Sequence, residues 1–338
     1  MLAPTVESFG TSLSIVRGMQ QAQFGPAMNI HATLAQTSQP RFLMCPPRHF
    51  AVAYSINPWM DPQAWANGGA VLHTDAQRQW AGLHRALATA GAAIEMLEPA
   101  PGLPDLVFTA NAAVVLDRKV VLARFRHGER QGEEPVFAAS FRALQARGLI
   151  DEILQLPADI TLEGAGDCIW DSRRAVFWMG SGFRTDSAAG PVLREYLSVH
   201  CLTLVLVDPS FYHLDTAFCA LPCGSVIYYP AAFTPAALAT IHEHVAPADR
   251  IALDHADATR FAANAVCLGR SLVLSSCSET LRSDLEERGY AVVETPLHSF
   301  LCSGGSACCL TLRLDLRSSL VGTGVIEPVR HCGVVARN

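Results

Sequence analysis

The sequence predicts an α/β fold in which one supersecondary unit recurs around an axis, and three observations predict it. Short apolar runs come in pairs joined by polar turns, helix-length segments lie between the pairs, and each such segment is followed by one more short apolar run. Four units follow one another in this way, and the two ends of the chain supply the pieces of a fifth.

The paired runs are AAVVL and VVLARF about Asp117, CIW and AVFWMG about Ser172, AFCAL and SVIYYP about Cys223, and AVCL and SLVLSS about Gly269. These turn markers are spaced by 55, 51 and 46 residues, one unit apiece. Helices are expected over residues 135–147, 191–199, 235–245 and 278–288. Three of them open with proline, whose missing N–H costs nothing in a first turn. Third strands are expected over 153–156, 202–207, 251–253 and 291–294. For the fifth unit, Phe42 to Met44 reads as a strand stopped by Pro46 and Pro47. A helix over 76–90 ending at Gly91, a strand over 93–97 and a late strand over 308–316 complete it. Closing five units into a ring removes the exposed strand edges of an open sheet. The expected architecture is therefore a five-bladed, pseudo-symmetric α/β propeller forming one domain over 41–316. Two ordinary α/β domains are the alternative on pattern alone. Residues 1–40 read as a flexible N-terminal extension and 317–338 as a C-terminal tail.

Composition bounds the function. Half of the 338 residues are apolar and 17% are charged, enough for a large core and unlike a disordered chain. The net charge is −6 and no Lys/Arg run occurs, which argues against a nucleic-acid partner. No apolar stretch approaches the roughly 20 residues of a membrane helix, so no membrane partner is expected. The first forty residues hold one arginine and one glutamate, without the pattern of a secretory signal or a transit peptide. Eleven cysteines, with no CxxC pair and mostly inside apolar runs, suit a reducing, cytoplasmic compartment. Metal-ligand spacings and phosphate-binding glycine loops are absent too, so neither a metal nor an organic cofactor is expected.

If the units surround an axis, the starts of their hairpins converge there. Those starts carry Asn111, Glu163 with Asp167, His213 with Asp215, Asn264, and Cys309. Each has a bland alternative: a filler cysteine, a satisfied core histidine, the turn glycines of GAG. Polar groups at corresponding places in separate repeats are costly to bury without partners, and together they point to a site. A thiol, a histidine, carboxylates and amides suit a nucleophile, its acid/base partner and a polar substrate clamp. Gly304 and Gly305 allow close backbone approach to a ligand. Asn57-Pro58-Trp59-Met60, straight after a strand expected to end at Tyr54, suits a lid over an aliphatic substrate, and Arg124, Arg126 or Arg130 could fork onto a carboxylate.

The motifs MCPP, INPWM, GLPDLVFTANA, ERQGEEP, EGAGD, FYHLDT, YYPAAF and GGSACCLTLRL occur in that order over roughly 41–316. In this the chain resembles the guanidino-group-modifying (pentein) superfamily, and in particular the amidinotransferase-like domain of arginine dihydrolases. The resemblance implies the five-bladed propeller, with Cys309 as nucleophile and Cys308 one place early. It implies His213 as general acid/base, with Asp215 two residues on, and Glu163 as guanidinium-binding carboxylate. Arg130 becomes the α-carboxylate clamp and Asn57 a substrate contact; Asn264 and Asp167 join the substrate-binding set. Asn111 stands where deiminases and amidinotransferases place aspartate, and arginine dihydrolases asparagine. The implied reaction takes L-arginine to L-ornithine, two ammonia and carbon dioxide, without metal or cofactor, in a homo-oligomer. The cyclodeaminase domain fused to some relatives is not expected here. A deiminase or dimethylarginine dimethylaminohydrolase stopping at citrulline is one alternative; a non-catalytic arginine-binding propeller is another.

Overall fold

The paired apolar runs fold as antiparallel hairpins, because a polar turn of a few residues suffices to reverse the chain. The third run of each unit pairs in parallel, which needs a crossover, and the helices supply it. The computed structural model describes residues 39–318. β1 (Arg41–Met44) ends just before Cys45, Pro46 and Pro47, and β2 (Ala93–Met96) lies parallel to it, Arg41 opposite Ala93. β3 (Ala113–Leu116) and β4 (Lys119–Leu122) form a hairpin whose turn residues Asp117 and Arg118 both take positive φ, as a two-residue turn of this hand requires. β5 (Glu152–Leu154) runs parallel to β4. The pattern repeats with β6 (Cys168–Asp171), β7 (Val176–Ser181) and β8 (His200–Val205). It repeats again with β9 (Phe218–Ala220), β10 (Val226–Tyr228) and β11 (Arg250–Ala252). A further unit holds β12 (Val266–Leu268), β13 (Ser271–Leu274) and β14 (Ala291–Glu294). Finally β15 (Leu312–Arg313) returns to pair antiparallel with β1, so early and late segments share one sheet. The result is a mixed α/β fold of five three-stranded sheets with the same internal order.

The crossover helices are Pro62–Thr89, Glu134–Ala146, Ala189–Leu197, Pro235–His244 and Glu279–Glu287. Their starts follow local chemistry: Asp61, Thr234 and Ser278 each accept a first-turn N–H through the side chain. The first helix is longer than the expected 76–90, because the Asp61 cap starts an extra segment that a kink at Gly69, φ +43°, joins to the rest. Two other expectations give way. The late strand is only two residues long, since Leu310 N–H bonds Ser306 O and Thr311 N–H bonds Cys308 O, winding 306–311 into a turn. Tyr54 does not end a strand; it lies in an irregular segment, with its hydroxyl donating to Asp105. Large apolar side chains fill the space between sheets and helices, among them Phe50, Phe141, Trp178 and Phe300. The extension expected over 1–40 and the tail over 317–338 lie almost wholly outside the described residues.

Candidate active site

The first strand of each sheet is entered through a tight turn, and the polar residues sit in those turns. Asn111 belongs to the 3₁₀ turn Thr109–Ala112, while Glu163 and Asp167 flank Gly164–Gly166. His213 precedes Leu214–Thr216, which contains Asp215. Asn264 comes two residues before β12, and Cys309 lies in the turn before β15. The turns are laced together by main-chain bonds: Ala110 N–H to Cys309 O at 3.1 Å and Cys308 N–H to Asn264 O at 3.3 Å. Gly164, at φ +63°, allows two turns to approach backbone to backbone, since a Cβ there would sit 2.6 Å from Ala110 O.

Cys309 is buried, and Asn264 holds it twice. The amide Oδ1 accepts the Cys309 backbone N–H at 3.2 Å, and Nδ2 donates to Sγ at 3.1 Å. Asp215 Oδ2 accepts from the thiol at 3.3 Å, whereas Oδ1 is buried without a partner among the described residues. Burial pushes Asp215 up to about 7, and burial together with Asp215 pushes the Cys309 thiol well above its usual value. These surroundings favour the neutral form of the Cys309 thiol.

Beside it, His213 Nε2 meets Glu163 Oε2 at 2.7 Å, and Arg184 Nη1 donates to the same oxygen at 3.0 Å. Burial works against ionised Glu163, but Arg184 and His213 together hold it far below the ordinary carboxylate range. This hydrogen bond fixes the ring through Nε2, leaving Nδ1 as the nitrogen able to exchange a proton with a bound molecule. Asp167 braces this arrangement: it accepts from Thr185 Oγ1 at 2.7 Å and from Leu214 N–H at 2.9 Å, and burial raises it to about 6.

Asn111 is held between two partners of opposite type. Its Nδ2 donates to Glu163 O at 3.1 Å, and Arg130 Nη1 donates to its Oδ1 at 2.9 Å. Arg130, only 3% exposed, stacks on Phe125 and binds both oxygens of Glu133, at 2.9 and 2.8 Å, with a further bond to Asp105 O. Asp105 is buried as well, accepting from Tyr54 at 2.8 Å and Ser303 at 3.3 Å. Burial raises its carboxyl despite nearby Arg130 and Arg184.

One narrow pocket opens onto Cys309, His213, Asn111, Asp105, Arg130 and Arg184. Asn57 also lines it, donating through Nδ2 to Ser303 O at 3.1 Å while its Oδ1 accepts Trp59 N–H. The Trp59 indole donates to Ser210 O at 2.7 Å and packs on Phe261, so 56–60 covers one side of the pocket. No three metal-ligating side chains come together among the described residues.

Of the residues singled out in the sequence, Cys309, His213, Asn111, Arg130 and Asn57 line this pocket. Asp215 and Asn264 sit against the thiol, and Glu163 and Asp167 sit behind His213, their oxygens taken by donors of the chain. Glu163 thus faces Arg184 and His213, which share its Oε2. Arg126 is drawn to Asp186 at the surface, and Arg124 is not among the lining residues. Arg184, Asp105, Tyr212 and Ser303 were missed. Two of them, Asp105 inside GLPDLVFTANA and Tyr212 inside FYHLDT, lay within motifs that marked a site.

Comparison with known proteins gives the chain a family. A family model described as N,N dimethylarginine dimethylhydrolase, eukaryotic, matches residues 62–316. The bifunctional arginine dihydrolase/ornithine cyclodeaminase AgrE of Nostoc sp. is 43% identical over 87% of this chain, which spans 39% of that protein's length. The N(G),N(G)-dimethylarginine dimethylaminohydrolase of Mycobacterium tuberculosis is 37% identical, over 81% of this chain and 85% of its own. Among solved structures, the N-terminal domain of the cyanobacterial arginine dihydrolase ArgZ, a cysteine-to-serine variant bound to substrate, superposes with a TM-score of 0.78. It is 41% identical and covers 82% of this chain and 99% of its own. The chain belongs to the guanidino-group-modifying family that unites the dimethylarginine dimethylhydrolases with the arginine dihydrolase domains.

Proposed function

We propose that the protein is an arginine dihydrolase, converting L-arginine and two waters to L-ornithine, two ammonia and carbon dioxide. The observation that carries the reading is one pocket on which the Cys309 thiol, His213 and the amide of Asn111 all open. Its likeness to the AgrE and ArgZ domains supports it. In this reading the five sheets are the blades of a closed propeller, residues 41–316 form the catalytic domain, and 1–40 and 317–338 flank it. A cytoplasmic homo-oligomer belongs to the same reading. Free cysteines and the exposed Met96 and Val205 on outer strands support it.

The substrate's α-carboxylate meets Arg184 and the spare N–H of Arg130, and its ammonium meets Asp105. Its guanidinium reaches Asp215, whose free Oδ1 lacks a donor. Arrival of that cation beside Cys309 favours the thiolate, which attacks the guanidino carbon. His213 gives its proton to departing ammonia and then draws one from water, which cleaves the S-alkylthiouronium to citrulline and restores the thiol. Glu163 holds His213 in register for both transfers. In a second round the thiolate attacks the ureido carbon, and the bond to the ornithine nitrogen breaks as His213 protonates it. Water then releases carbamic acid, which falls apart to carbon dioxide and ammonia.

Incubation with L-arginine, with citrulline, ornithine and ammonia quantified, tests the proposal: ornithine and ammonia in a ratio of about one to two are expected from this chemistry. A second reading stops at citrulline and accepts methylated arginine, which Ile56, Met60 and Phe108 on the pocket wall favour by offering apolar surface to methyl groups. Accumulating citrulline from either substrate would select it. A binding protein without turnover would yield none of these products.

A further inference from the structure

Among the groups around the pocket, Arg130 is placed unlike a simple substrate clamp. Of the five N–H groups of a guanidinium, four are already used: two on Glu133, one on Asp105 O and one on Asn111 Oδ1. The side chain is buried, stacked 4.4 Å above Phe125, and paired at both oxygens of Glu133, so it is rigid before any substrate arrives. What it adds to the pocket is therefore mostly indirect.

The Asn111 amide could in principle lie either way round, since its oxygen and nitrogen are nearly the same size. Its partners decide the matter. A guanidinium can only donate and the Glu163 carbonyl can only accept, so Oδ1 faces Arg130 and Nδ2 faces Glu163. That leaves one N–H and one lone pair of Asn111 for a bound molecule. A cationic guanidinium needs only acceptors, whereas a neutral ureido group has a carbonyl oxygen that needs a donor. Without Arg130 the amide loses the partner that fixes its oxygen, and the N–H available to a ureido oxygen is no longer fixed in place.

Resting on the arginine dihydrolase reading, we propose that Arg130 is a positioning residue for the second half-reaction: by fixing the Asn111 amide it keeps an N–H on the ureido group, and so sets how much citrulline goes on to ornithine. Gly166 belongs to the same device, because a Cβ there would lie 2.3 Å from Asn111 Nδ2 and push the amide off both partners.

The test is the ratio of released citrulline to ornithine at saturating L-arginine, for wild type, Arg130→Lys and Gly166→Ala. Because Arg130→Lys leaves Glu133 with a point charge and could fail to fold, Arg130→Met with Glu133→Met removes the buried pair together. Each variant is expected to raise the ratio about threefold to tenfold, the effect of one hydrogen bond lost from the intermediate. A ratio unchanged in the Arg130 variants, with only KM or kcat altered, would make Arg130 a clamp or a structural pair and overturn the inference. Wild-type protein releasing citrulline alone overturns the underlying reaction instead, and the two failures are told apart by the wild-type product.

Discussion

Asn264 grips Cys309 at both ends, accepting its backbone N–H at 3.2 Å and donating to its thiol at 3.1 Å. Cys308, its neighbour in the same turn, meets Asn264 only through its backbone N–H, which donates to Asn264 O at 3.3 Å among the described residues. Only Cys309 lines the pocket. Cys309→Ser should abolish turnover with arginine, and Cys308→Ser should retain most of it. Activity lost in Cys308→Ser alone would move the nucleophile by one residue. Both thiols lie in a turn, so it is the grip of Asn264, and no alternation along a strand, that distinguishes them.

His213→Ala should lower kcat by about 10²–10⁴-fold, the usual worth of a positioned acid/base. Glu163→Gln should lower it too, because the ring loses the carboxylate that holds its Nε2 at 2.7 Å. If His213→Ala instead loses its cooperative thermal transition, the histidine serves the core.

Arg184 and agmatine, which has no α-carboxylate, form a pair of probes. Arg184→Lys should raise KM for arginine much more than for agmatine. Equal changes would place its work in holding Glu163, to which it donates at 3.0 Å.

Asn111→Asp should move the product from ornithine towards citrulline. A carboxylate at 111 offers a ureido oxygen no donor, and it also faces the Glu163 carbonyl 3.1 Å away, now with two acceptors opposed. The citrulline-to-ornithine ratio, measured against wild type at matched arginine, decides it; an unchanged ratio would remove Asn111 from product control.

Asp215 makes a prediction about stability. Burial lifts its folded pKa to about 7, above the roughly 4 of an unfolded aspartate, so the folded state binds the proton more tightly. Its contribution is thus most favourable below pH ~4 and is lost as pH rises towards 7. Asp215→Asn should raise Tm at pH 8 and change it little at pH 4. Equal shifts at both pH values, read by calorimetry, would show that ionisation is not the cause.

How far the sequence could be read depended on whether the signal was local. The turns at Asp117, Ser172, Cys223 and Gly269 were legible because each is a polar break between two apolar runs, and all four fall between paired strands. The helix starts at Thr234 and Ser278 were legible for the same reason, cap and periodicity agreeing. The run ACCLTL looked like strand throughout, yet the turn bonds at Ser306 and Cys308 depend on where Asn264 O waits in another unit. Convergence of the polar turns could be inferred from repetition; which atoms face which could not. Hence the bond of Asn264 to the thiol and the place of Glu163 behind His213 emerge only from the structure. Arg184 in GFRTD looks like any surface arginine until burial distinguishes it.

The lacing of the entry turns by main-chain bonds has a consequence for handling the molecule. Because the polar groups of the site are contributed by segments from Asn111 to Cys309, no proteolytic fragment carries the complete site, and release of any one turn withdraws atoms from its neighbours. Catalysis therefore reports on the intactness of the whole assembly: a single nick that let one unit swing away would silence chemistry whose nucleophile lies two hundred residues away in sequence, before secondary structure measurably declined.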